Sequence, residues 1–368
     1  MVRRTVLHPL HVRLGARLVE FADWEMPVQF AGVLPEHRQT RSAASLFDVS
    51  HMGQLLVRAE SMERAAALLE TLMPTSVVGL LEGRQRYCVL TNECGGVVDD
   101  LMLARRTDHF HLVANAARTG ADLTALRSVD GLEVTHVEDR ALLALQGPAA
   151  ETALARLVPD VTRLVFMDSV VLQWEGHEVW ISRSGYTGED GYEASVPAAA
   201  AVGFAQALLD MEEVAPAGLG ARDSLRLEAG MPLYGHELDE TITPAQAGIG
   251  WAVSKVRRLG GSREGGFPGA DVILPELETG PARLRRGLRP GGRAPIRGGV
   301  ELFADPESPD PIATVTSGGY GPSVGGPIAM GLLPSGVGVG DTVFAELRGK
   351  RVPVTVEELP FIEVSYKR

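Results

Sequence analysis

The chain has 368 residues, of which 45% are hydrophobic and 22% charged, and it carries a formal net charge of −12. At about 150 residues per domain, that length predicts two or three domains rather than a single core. The acidic balance argues against a non-specific nucleic-acid binder, and no apolar run approaches the ~18 residues of a membrane span. Only two cysteines occur, Cys88 and Cys94, and they match no zinc or redox spacing. Their scarcity, and a start with no apolar signal stretch, predict a cytoplasmic protein.

In chain order, Pro35-Glu36 opens a predicted helix that runs through the alanines to Leu46. Residues 61–73 place Ala66, Leu69, Leu72 and Met73 on one stripe, with Ser61 as cap and Pro74 as stop. Arg86 to Asn92 reads as a strand, Asn92-Glu93-Cys94-Gly95-Gly96 as its turn, and 97–103 and 110–114 as further strands. Residues 142–148 form a strand entering a helix near Pro148, and 197–213 and 220–229 are predicted helices. The irregular alternation of strands and helices favours α+β over a doubly wound sheet. Residues 255–297 hold ten lysines and arginines against four acids, a local excess of +6. Glycine pairs within that stretch suggest a linker, and the short β-rich runs after about 285 suggest a small barrel. A solvated linker and a docking surface for an acidic partner both fit the basic stretch.

Four short segments carry most of the chemistry. Gly185-Tyr186-Thr187-Gly188-Glu189-Asp190-Gly191-Tyr192-Glu193 combines three glycines with carboxylates and aromatic rings. Read alone it is a glycine-rich hairpin; with a ligand it would offer acceptors and flat faces to a planar heterocycle. Asp99-Asp100 follow Gly95-Gly96-Val97-Val98, and on a strand their side chains point to opposite faces, so at most one faces a given pocket. Arg222 lies in a predicted helix beside Asp223 and Glu228, either of which could simply pair with it. Met52 follows His51 in Phe47-Asp48-Val49-Ser50-His51-Met52-Gly53; such a methionine is commonly core filler, and an isolated histidine is commonly structural. His109 and His111 join no ligand set, and no metal is expected. Trp251 suits either a core or a pocket wall.

Taken together, these segments resemble the aminomethyltransferase (T protein) family of the glycine cleavage system. Tyr234-Gly235-His236-Glu237-Leu238 and Thr243-Pro244-Ala245-Gln246-Ala247-Gly248 extend the likeness over nearly the whole chain. The resemblance implies a clover-like α+β fold of three domains: residues 1–52 with 140–255, an inserted unit at 53–139, and a C-terminal β-barrel at 285–368 after a linker at 256–284. It implies tetrahydrofolate as co-substrate and lipoylated H protein as partner, with no nucleic acid or membrane. Asp100 would be the catalytic carboxylate beside the reactive nitrogens of the folate. Tyr186 would pack on the cofactor, and Glu193 would accept hydrogen bonds from the pterin, whose adjacent N–H donors suit an ionised carboxylate. Arg222 would pair with the glutamate tail. Met52, Tyr87, Asn115 and Tyr366 would line the same ligand.

The reaction so implied moves a one-carbon unit from the aminomethyl-lipoyl arm to tetrahydrofolate, giving methylenetetrahydrofolate, ammonia and dihydrolipoyl-H protein. Relatives on the same fold leave two other readings, a folate-dependent demethylase of a small methylated compound and a folate-binding regulator without turnover. A folate-binding relative with a Lys-Gly-Cys hallmark is disfavoured, since neither cysteine here lies in such a segment.

Overall fold

The computed structural model describes residues 2–368, and its strands gather into two open sheets, one closed barrel and a separate ribbon of Arg17–Phe21 with Trp24–Gln29. The first sheet has the spatial order Ser169–Trp174, His177–Ser182, Gly191–Pro197, Arg140–Gln146, Ala44–Asp48, Val214–Ala217. Only the last pair is parallel. Strand alternation gives this sheet two apolar faces. Leu143 and Leu145 face the helices Ala150–Leu157 and Ala198–Leu209, while Leu142 and Ala144 join Phe47 beneath Ala221 and Leu225 of the helix Leu219–Glu228.

The second sheet is antiparallel throughout, in the order Gln85–Thr91, Val97–Arg105, Phe110–Ala114, Gly53–Arg58, Glu133–His136. Leu101 and Leu103 pack with Ala65 and Leu69 of the helix Met62–Leu69 and with Leu126 of the helix Thr119–Arg127. Ser61 caps the first of these helices, its hydroxyl oxygen accepting from the Arg64 N–H at 3.1 Å.

The barrel closes through Arg283–Pro290, Gly326–Pro334, Ala313–Gly321, Glu301–Phe303, Thr342–Leu347 and Lys350–Glu357, around Leu288, Leu302, Val315 and Val354. Glu228 joins it to the rest. Its fully buried carboxylate accepts from the backbone N–H groups of Ser323 (2.7 Å) and Val324 (3.3 Å), and lies 3.0 Å from His37 and 3.2 Å from Arg41. Burial works to raise this carboxyl, yet His37 and Ser323 hold it down to about 2.

The α+β class and the C-terminal barrel expected from the sequence are both present. Some local expectations fail. The helix predicted to reach Leu46 spans Val33–Ser42, and Ala44–Asp48 is a strand with all five residues buried. Between two strand partners, ladder pairing and burial on both faces outweigh the helix preference of alanine. The helix expected over 197–213 ends at Leu209 because Val214–Ala217 is drawn into the sheet edge. Residues 256–284 include the helix Ala270–Thr279. Among the described residues no helix is long and apolar enough to cross a membrane.

Candidate active site

Tyr87 and Asp100 lie on neighbouring strands of the five-stranded sheet, near the end from which Asn115 leaves Phe110–Ala114. The Tyr87 hydroxyl donates to Asp100 Oδ2 at 3.1 Å. Asn115 Nδ2 donates to Asp100 Oδ1 at 2.8 Å and also reaches the Asp100 carbonyl at 3.0 Å. Burial pushes the Asp100 carboxyl up to about 6, against the pull of those two hydrogen bonds. The Tyr87 phenol is driven well above its usual range, first by burial and then by the Asp100 charge, so it remains a donor. Asp99 points to the opposite face and is fully buried, as strand alternation requires.

The six-stranded sheet contributes the facing groups. The glycine-rich segment is a turn ending in the strand Gly191–Pro197, which carries Glu193 opposite Ser182 and Ala144. Gly188 adopts φ +81°, and a Cβ at Gly185 would overlap the buried Gln146 amide, so these two positions require glycine. The turn presents Tyr186, whose hydroxyl donates to the Pro232 carbonyl. The Arg222 guanidinium carbon sits 5.0 Å from the centroid of the Tyr186 ring, a cation–π contact. Tyr186 in turn feels the Asp100 charge, which links the two sheets' contributions. The Glu193 carboxyl takes one long hydrogen bond, 3.3 Å from the Ser184 hydroxyl, and is raised by burial against the pull of Arg222.

Arg222 stands out by what it lacks. The acids beside it in sequence are committed elsewhere, Asp223 to Arg226 at 2.8 Å and Glu228 to His37 and Arg41. Among the described residues it makes no ion pair, and its Nη1 is buried with no hydrogen-bond partner. Burial lowers its pKa, opposed by Glu193 and Tyr186. A desolvated guanidinium with an unused donor, facing a carboxylate with unused lone pairs, suits a ligand with a carboxylate at one end and N–H donors at the other.

Met52 packs half-buried against the cluster of Phe47, Leu142 and Leu225, close to the Arg222 helix. Its neighbour His51 is buried beside Asp48 and Arg222, and burial lowers its pKa to about 4, so it is neutral. Tyr366 stands apart from the other predicted groups. Its ring stacks on Phe166 at 4.2 Å, with Arg41, Glu189 and Asp190 as charged neighbours. Residues around it fasten the back of the glycine-rich segment: Ser365 N–H donates to the Gly188 carbonyl (3.1 Å), Phe166 N–H to the Lys367 carbonyl (2.7 Å), and Lys367 Nζ to Glu151 (2.8 Å).

One group was left open by the sequence reading and another escaped it. Trp251, 64% exposed, lies with its ring 5.1 Å from that of Tyr87. Asp122, buried near Asp99, carries no local sequence signal at all. Much of the basic stretch is used internally: Arg257 and Arg263 bind Glu70, Arg289 binds Glu357, and Arg285 donates to the Ala247 and Gly230 carbonyls at 2.6 and 2.5 Å. Among the described residues no group of three or more His, Cys, Asp or Glu side chains could hold a metal ion.

The fold defines an α+β protein with a closed C-terminal barrel, and comparison with known proteins supplies its class. A family model described as "GCVT N-terminal domain" matches residues 7–257, and one described as "Glycine cleavage T-protein C-terminal barrel domain" matches residues 283–363. The probable mitochondrial aminomethyltransferase of Schizosaccharomyces pombe is 40% identical over 375 residues, covering 99% of this chain and 94% of that protein. The mitochondrial aminomethyltransferase of Dictyostelium discoideum is 38% identical over 388 residues, covering 100% and 94%. The crystal structure of glycine cleavage system aminomethyltransferase T from Bartonella henselae superposes with a TM-score of 0.92 at 41% identity, over the whole of both chains. The chain belongs to the glycine cleavage T-protein family of aminomethyltransferases.

Proposed function

We propose that this aminomethyltransferase takes the one-carbon unit from the aminomethyl-lipoyl arm of H protein, passes it to tetrahydrofolate and releases ammonia, leaving dihydrolipoyl-H protein. The observation that supports this reading best is the unpaired Arg222 facing the under-used Glu193 carboxyl, with Asp100 linked to the same cleft through Tyr186. Tetrahydrofolate, when bound, supplies the nitrogens that accept the carbon. Glu193 would accept N–H donors of the pterin, Tyr186 and Met52 would flank it, and Arg222 would bind a carboxylate of the glutamate tail. Asp100, held by Tyr87 and Asn115, would orient the reacting end and handle the proton there. Tyr366 would act from behind the glycine-rich segment.

No nucleophilic side chain is required. Holding arm and folate in line can contribute up to about 7–11 kcal/mol, and a well-placed acid or base roughly 10²–10⁴-fold in rate. The domain division that goes with this reading is 1–52 with 140–255, 53–139, and a barrel from 285 reached through 256–284. The sequence favours a cytoplasmic location, whereas the yeast and Dictyostelium relatives are named as mitochondrial, and cell fractionation decides between them.

The test is ammonia release from aminomethyl-loaded H protein with and without tetrahydrofolate. Folate-dependent release with methylenetetrahydrofolate formed upholds the proposal. Tight folate binding without release would point to a regulator. Methyltetrahydrofolate formed from a free methylated compound, with the loaded carrier ignored, would point to a demethylase.

A further inference from the structure

Behind Asp100, on the other face of its strand, Asp99 is 0% exposed, and so is Asp122 on the helix Thr119–Arg127. Their carboxyl groups lie close enough that each acts on the other's ionisation. Neither Asp122 oxygen has a hydrogen-bond partner. Arg118, the cation that acts on both, is committed elsewhere: Nε donates to the Val98 carbonyl at 2.8 Å and Nη2 to Glu240 at 2.5 Å. The other ionisable groups on that side are Tyr234, 5.0 Å from the Arg118 guanidinium, with Asp239 and Glu240; Asp100 lies on the far side. Two carboxyl groups in such surroundings do not both ionise, because burial penalises each charge and the first charge opposes the second. Burial, and then the neighbouring Asp122, hold Asp99 far above the usual carboxylate range, and burial raises Asp122 as well.

We propose that Asp99 and Asp122 share one proton and that the pair acts as a positioning device for Asp100, working through Asn115. Asn115 Nδ2 donates to Asp99 Oδ1 at 2.9 Å and to Asp100 Oδ1 at 2.8 Å, while its backbone N–H donates to Asp99 Oδ2 at 3.1 Å. A side-chain amide can offer its NH₂ to both carboxyl groups in only one of its two flips, and the grip of Asp99 selects that flip. The shared proton also limits the charge behind Asp100, which leaves Asp100 free to ionise near neutral pH. This inference rests on Asp100 being the reacting carboxylate, so its test includes a readout independent of turnover.

Asp122→Asn keeps the size of the side chain and gives Asp99 an N–H donor in place of a competing charge. Asp99 then becomes a full carboxylate next to Asp100. The acid limb of kcat against pH should move up by about one unit or more, which at pH 6 lowers turnover about five-fold, while KM for folate stays near wild type. A merely structural role would lower the plateau and leave the limb in place, and an unmoved limb overturns the proposal. The second measurement is the infrared spectrum of the ligand-free protein at pH 8. Wild type should show a protonated-carboxyl band that persists in Asp100→Asn and Glu193→Gln and is lost in both Asp122→Asn and Asp99→Asn. Absence of the band in wild type overturns the shared proton even if the variants fold poorly, as does its survival in either folded variant of the pair. Full turnover in Asp100→Asn would instead remove the role of Asp100, with the band still judging the pair.

Discussion

Arg222 and Arg226 sit one helical turn apart, each with acids nearby in sequence, and they meet opposite fates. Arg226 is buried and fully engaged, by Asp223, by Glu237 at 3.1 Å and by the Ser317 hydroxyl at 2.8 Å. Arg222 is left with an unused donor. Nothing in the helix spacing separates the two; the segment resemblance singled out Arg222, and only tertiary packing supplies the reason. Since charge-assisted hydrogen bonds are worth about 1.5–3 kcal/mol, Arg222→Ala and Glu193→Ala should each weaken folate binding roughly ten- to a hundred-fold by calorimetry. Unchanged affinity in both would move the site elsewhere. Asp100→Asn should instead lower kcat, by about a hundred-fold or more, with folate affinity nearly kept. With its carboxyl raised to about 6, wild-type turnover should fall as pH drops through that value. The same raised value has a converse for stability. Ionising Asp100 opposes folding, so stability attached to its protonated form is lost as pH rises through about 6, and Asp100→Asn should unfold at a higher temperature than wild type at pH 8.

At the scale of single elements, the turn before Val97–Arg105 decides where the two aspartates fall. Asn92 Oδ1 accepts the backbone N–H groups of Cys94 and Gly96, both at 3.0 Å, and Val97 N–H donates to the Asp239 carbonyl at 2.9 Å. Gly96 packs so closely on the Glu240 carbonyl that a Cβ there would overlap it. Gly96→Ala should therefore lose about 1–3 kcal/mol of stability in denaturant titration and reduce turnover as the strand entrance shifts. This turn was readable from Asn92 to Gly96, as were the strands around it, because turn chemistry and alternation are local. The strand Ala44–Asp48 was not readable, since its alanine and leucine are as good for a helix and only its neighbours in the sheet decide. Trp251 was left open for a similar reason: its ring contact with Tyr87 spans segments far apart in the sequence.

Over the whole molecule, the candidate cleft draws on residues 51–52, 87–115 and 186–222, and a buried carboxylate is among the groups that tie the barrel to the rest. Glu228 holds helix Val33–Ser42, its own helix and the Ser323–Val324 turn together. With its carboxyl lowered from 4.5 to about 2, its contribution is present above about pH 4.5 and lost as pH falls toward 2. By linkage that amounts to about 3 kcal/mol. Acid titration followed by barrel-specific probes should show the barrel loosening in that window, and Glu228→Ala should show the weakened state already at pH 7. Sequence motifs marked the separate parts of the site, but their assembly depends on contacts across more than a hundred positions, which no local pattern encodes. The fastening of the glycine-rich segment by residues 365–367 carries this furthest, for Lys367 and Glu151 are 216 positions apart. A ribosome releases the glycine-rich loop long before it makes the residues that clamp it. A nascent chain thus holds the loop unfastened until residues 365–367 have been made.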